Sequence, residues 1–81
     1  MNLVMGRIFE LMEGIESDPN YVTKSWILGQ IAGNIGKGTP VWTIRGYAEG
    51  SGEILEEILD TLEITYKKLT CEDGIFTVEV E

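Results

Sequence analysis

Histidine is absent from these 81 residues, cysteine occurs once, at Cys71, and proline only twice. Without histidine there is no Ser–His or Cys–His pair, so ordinary nucleophilic hydrolysis has no machinery. A lone cysteine closes no internal disulfide, and without histidine the usual zinc patterns are excluded. Cys71 is followed by Glu72 and Asp73, an acidic setting that suits no catalytic thiolate. Basic residues are scarce too: six Lys and Arg face fourteen Asp and Glu, a net charge of −8. That balance argues against indiscriminate nucleic-acid binding, which a basic surface drives. No apolar run approaches the roughly eighteen residues of a membrane span. Arg7, Glu10 and Glu13 interrupt the stretch from Met1 to Ile15 where a signal peptide would need its apolar core. The expected setting is cytoplasmic, with no membrane, metal or cofactor.

What is present reads as one small globular domain, residues 1–81, with 43% hydrophobic and 25% charged residues. A chain this short buries a modest core and sits near the size where oligomerisation helps. It shows no repeat and no low-complexity segment. Residues 1–16 hold the N-terminal helix, Leu3 to Glu16, with Val4, Ile8, Leu11, Met12 and Ile15 recurring at three and four. Met5 and Phe9 widen its apolar face. Ser17-Asp18-Pro19-Asn20 is a turn. Thr23 is the expected N-cap of a second helix, residues 23–36, whose apolar surface comes from Trp26, Ile27, Leu28, Ile31 and Ile35.

Residues 41–80 read as strand, helix and hairpin. From Val41 to Tyr47, Trp42 and Ile44 point one way and Thr43, Arg45 and Tyr47 the other. Ser51 is placed to cap a third helix, in which Ile54, Leu55, Ile58, Leu59 and Leu62 form one stripe and Glu53, Glu56, Glu57 and Asp60 the other. Ile64 to Thr70 and Ile75 to Val80 are strands joined through Cys71-Glu72-Asp73-Gly74. Phe76, Val78 and Val80 face the core, with Ile75, Thr77 and Glu79 opposite. The order is α-α-β-α-β-β, or α-α-β-β-α-β-β if Gly36 to Thr39 holds a short strand pair. An α+β fold follows, an antiparallel sheet covered on one face by helices.

Such a fold leaves one sheet face open, with Thr43, Arg45, Tyr47, Thr65, Lys67 and Thr77 on it and Glu79 as its only acid. These residues suit a phosphate backbone and base edges, or are ordinary solvent-facing strand residues. Glu49, Glu53, Glu56, Glu57, Asp60 and Glu63 gather between residues 49 and 63 with no cation among them. They form either a solvated face or a patch for a basic partner, in the manner of a nucleic-acid mimic. The glycines around Lys37, Gly33-x-x-Gly36-x-Gly38, lack the preceding strand and spacing of a phosphate loop and read as a helix exit.

The second helix also carries Gly29, Ala32 and Gly33 on one face. Each helical glycine costs about 1 kcal/mol relative to alanine, so a close backbone neighbour is expected. The residues alone do not say what that neighbour is, the chain's own first helix being one candidate.

The stretch Trp26-Ile27-Leu28-Gly29-Gln30-Ile31-Ala32-Gly33-Asn34, followed by strand, helix and hairpin, resembles the LAGLIDADG homing endonucleases over about residues 26–81. The resemblance implies a half-domain that pairs as a homodimer through Gly29, Ala32 and Gly33, its two sheets forming a DNA-facing saddle. It also implies nucleic-acid contacts from Lys37, Thr43, Arg45, Tyr47, Thr65 and Lys67. The family's metal-binding acid falls on Asn34, a poor ligand for Mg²⁺, and the family's last helix has no counterpart. The function expected on this basis is non-cleaving nucleic-acid interaction, with no catalytic residue. The alternative is a small acidic inhibitor or adaptor that binds a basic protein through Glu53, Glu56, Glu57 and Asp60.

Overall fold

The computed structural model describes residues 3 to 81. Its elements are α1 (Leu3–Gly14), α2 (Tyr21–Lys37), β1 (Val41–Arg45), α3 (Ser51–Thr61), β2 (Tyr66–Glu72) and β3 (Ile75–Val80). The protein is α+β, with the strands in one antiparallel sheet of order β1-β3-β2. The last strand in sequence is therefore the middle strand in space. No strand forms between Gly36 and Thr39. Instead α2 runs to Lys37 and stops at Gly38, whose φ of 71° aims its N–H at the Asn34 and Ile35 carbonyls.

Each amphipathic stripe is buried against the same sheet face. Ile8 and Ile15 come from α1 and its exit, Ile27, Leu28 and Ile31 from α2, and Leu55, Ile58, Leu59 and Leu62 from α3. Trp42 and Ile44 of β1 and Phe76 and Val78 of β3 meet them from below. The alternation read along β1 and β3 holds because one face is covered and the other is not. Phe9 is the exception in α1. It stands 63% exposed instead of widening the buried face, whereas Met5 packs against the core.

Both expected helix caps are corrected. Helix α2 starts two residues before Thr23, which is buried inside it, and Asn20 takes the cap position without a side-chain cap bond. Asp18 organises this start, accepting the Asn20 N–H at 2.7 Å and the Lys24 Nζ at 2.7 Å. At α3 the cap is Gly50, with φ 87°, and Ser51 is the first helical residue, itself buried. Its hydroxyl turns back into the loop. It accepts the N–H groups of Tyr47 and Ala48 at 3.0 and 3.1 Å and donates to the Ala48 carbonyl at 2.6 Å. At the other end of α3, Arg7 of α1 donates to the Leu62 carbonyl at 3.2 Å, a cation placed where the helix dipole favours one.

The hairpin is tighter than its sequence suggests. Asp73 and Gly74 both have positive φ, 54° and 76°, which makes a two-residue turn that matches strand twist. Cys71 and Glu72 therefore belong to β2, and the strand starts later, at Tyr66.

Lys24 first, and then the Asn20 N–H, hold the Asp18 carboxyl below its ordinary pKa. A lowered carboxylate contributes stability above its unfolded pKa of about 3.9 and loses it as pH falls through the folded value. Asp18→Asn should therefore melt below the wild type at neutral pH. The gap should close as the pH falls below about 4. Thermal melts followed by circular dichroism across that range check both the loss and its disappearance.

Candidate functional site

Helix α2 lies along the free edge of β1 and occupies it with side chains spaced at four. Gln30 reads the edge as a neighbouring strand would: its Nε2 donates to the Arg45 carbonyl at 2.9 Å and its Oε1 accepts the Arg45 N–H at 2.9 Å. One turn earlier, Trp26 Nε1 donates to the same carbonyl at 2.9 Å. One turn later, Asn34 Nδ2 donates to the carbonyls of Gln30 at 2.9 Å and Thr43 at 3.4 Å. An unpaired strand edge invites a foreign strand, and here the helix closes it. Trp26 also stacks obliquely on Tyr47, ring centroids 5.9 Å apart. Gln30 is not singled out by the sequence reading, though it has a signal: an amide in line with Trp26 and Asn34, one turn before and one turn after it on the same helix.

Four of the six residues expected to contact nucleic acid meet along this seam. Lys37 and Thr43 line a shallow groove with Gln30, Gly33 and Asn34, and Arg45 and Tyr47 follow beside Trp26. Thr65 and Lys67 do not join them. Thr65 lies before β2, at the opposite side of the sheet, next to the Glu81 N–H. Lys67 is displaced by a bulge between Tyr66 and Lys68, which puts Lys68, not Lys67, opposite Glu79. The open face therefore has three cross-strand rows: Val41, Glu79 and Lys68; Thr43, Thr77 and Thr70; Arg45, Ile75 and Glu72. Glu79 is not its only acid, since Glu72 ends the third row, and the face balances two cations with two carboxylates.

Gly29 and Gly33 face outward beside the exposed Val22 and Trp26, and a methyl group added at either meets nothing within 4 Å. The first helix does not pack against them. Ala32 parts from the two glycines: half-buried, it packs against the core.

The acids behave as one surface. Glu53, Glu56, Glu57 and Asp60 are all exposed along α3. Lys24 Nζ reaches Glu57 at 3.8 Å, and among the described residues no ion pair reaches the other three. Ten of the fourteen carboxylates lie in or next to α1 and α3, opposed only by Arg7 and Lys24. From Pro19 to Ala48 there is no acid at all. Among the described residues no group of His, Cys, Asp or Glu is arranged to hold a metal, and no helix is long and apolar enough to cross a membrane. Compared with protein-family models, with curated proteins and with solved structures, the chain matches none.

Three substitutions test this geometry. Gln30→Met keeps the length of the side chain and removes both bonds to Arg45, at about 0.5–1.5 kcal/mol each. The urea midpoint should fall accordingly, and an unchanged midpoint would show that water serves the edge equally well. Gly29→Ala and Gly33→Ala have room and a helical backbone, so each should raise stability by roughly 0.5–1 kcal/mol. A second backbone packed on this face would turn that gain into weaker self-association, visible in sedimentation.

Proposed function

We propose that this chain is a non-catalytic interaction module whose α3 presents Glu53, Glu56, Glu57 and Asp60 to a basic protein surface. One observation carries the reading: the four acids share one exposed helical face, and among the described residues no cation pairs with three of them. Their spacing of three and four sets like charges against each other, which costs a helix a few tenths of a kcal/mol per pair. Asp60 adds an acid to the last turn, where the helix dipole opposes it. A face retained at such cost, on a chain of net −8, steers and orients a cationic partner.

A second reading retains the nucleic-acid function of a LAGLIDADG-like homodimer, moved from the open sheet to the α2–β1 seam. The acid-free stretch from Pro19 to Ala48 supports it, since Lys37 lines a groove with Asn34 and Thr43, and Arg45 and the Trp26–Tyr47 pair follow along the same seam. Single strands bind through cations and stacked aromatic rings of this kind. With Lys37 and Arg45 as its cations, on a chain of net −8, the seam makes this the weaker of the two readings.

Binding to a lysine-rich peptide and to an oligothymidylate, at physiological salt, separates them. Changing Glu53, Glu56, Glu57 and Asp60 to Gln should weaken peptide binding by at least about tenfold, or 1.4 kcal/mol. Changing Glu10, Glu13, Glu16 and Glu81 to Gln removes the same charge and should cost far less. Equal losses would reduce the effect to net charge and sink the α3 site. Oligothymidylate binding abolished by Lys37→Glu with Arg45→Glu would establish the second reading instead.

A further inference from the structure

The two edges of the sheet are finished differently. β1 is closed by Trp26, Gln30 and Asn34, whereas β2 ends the order β1-β3-β2. Among the described residues, no hydrogen bond from another element reaches its outer side. The helix layer also stops short of it. Leu69 lies on the covered face yet is only partly buried, and Cys71, on the same face, is exposed.

The strand and its turn read Lys67-Lys68-Leu69-Thr70-Cys71-Glu72-Asp73. Two cations stand at one end, two carboxylates at the other, and Thr70 in the middle. An antiparallel strand reverses direction, so such a sequence is complementary to itself. We propose that β2 pairs antiparallel with β2 of a second copy of this chain, centred on Thr70, to give one continuous six-stranded sheet. Lys68 then stands opposite Glu72 of the partner subunit, and Lys67 lies beside Asp73 of the partner subunit. The twofold axis repeats both pairs. Leu69 stands opposite the partner's Cys71 on the helix side, so each covers apolar surface that its own chain leaves exposed. Opposite-charge cross-strand pairs stabilise a sheet, and the open edge supplies the backbone bonds. The neighbouring same-face registers are poorer. Centring on Leu69 sets Lys68 against Thr70 and Lys67 against Cys71, and centring on Cys71 sets Leu69 against Asp73.

Lysines and a bulge are also the devices that guard a free edge against pairing, and the experiment separates guard from interface. Sedimentation equilibrium of the full chain, from about 10 μM to about 1 mM, should show a monomer–dimer equilibrium. Lys68→Glu should raise the dissociation constant at least about tenfold, and adding Glu72→Lys should restore most of it. Circular dichroism should show both variants folded, since these side chains are exposed. Register is read by oxidation. Thr70→Cys in a Cys71→Ser background should form an intermolecular disulfide, and the wild-type Cys71, which lies opposite the partner's Leu69, should not. A monomer throughout the range would identify the lysines as guards and overturn the proposal. A dimer indifferent to the Lys68–Glu72 exchange would place the interface elsewhere and overturn it equally.

Discussion

The two hydrogen bonds between the Gln30 amide and the Arg45 backbone fix the relation of α2 to the sheet, and much else follows from that relation. With Gln30 turned toward the β1 edge, helical geometry leaves Ile27 and Ile31 over the core and sends Gly29 and Gly33 to solvent. Asn34 falls one turn further along the same edge and bonds the Thr43 carbonyl. Its amide thus has a structural role: it donates a hydrogen bond to a strand carbonyl, which an ionised carboxylate at that position does not do.

Much of the fold was legible because periodicity is a strong signal. The stripes of α2 and α3 and the alternation of β1 and β3 appear in the sequence as they appear in the core. What escaped was local geometry with no hydrophobic signature. Lys67 and Lys68 are equivalent in chemistry, so nothing in the residues says which of them a bulge will displace. Strict alternation from Thr65 through Lys67 would have carried Leu69 to the open face, a conflict that marks the bulge in hindsight. Ser51 looked like a cap because serine before an apolar stripe usually is one, yet burial of its hydroxyl directed it to the Tyr47–Ala48 loop. Of the candidate sites, the acidic face of α3 could be read directly. The open sheet face could not, because its charge balance depended on the bulge and on the exact turn.

The fold sorts charge more sharply than the sequence does. α1 and α3 gather most of the acids, while α2 and β1 form a continuous unit without one. Lys24 bridges the two regions, taken up by Asp18 and reaching Glu57. A partner therefore meets two different surfaces on neighbouring elements of one small domain, a repelling and an attracting one for any given ion. This polarity sets orientation at encounter as much as it sets affinity.

The middle strand of the sheet leaves the ribosome after both of the strands it joins. Until β3 emerges, β1 has no strand partner on either side, because α3 and β2 lie between them in the chain. The contacts of Trp26, Gln30 and Asn34 with β1 span 19, 15 and 9 residues, and all their atoms are already synthesised. The clasp on that edge is thus available throughout the interval in which β1 waits. It shields one side of a nascent strand that would otherwise be open to neighbouring chains on both.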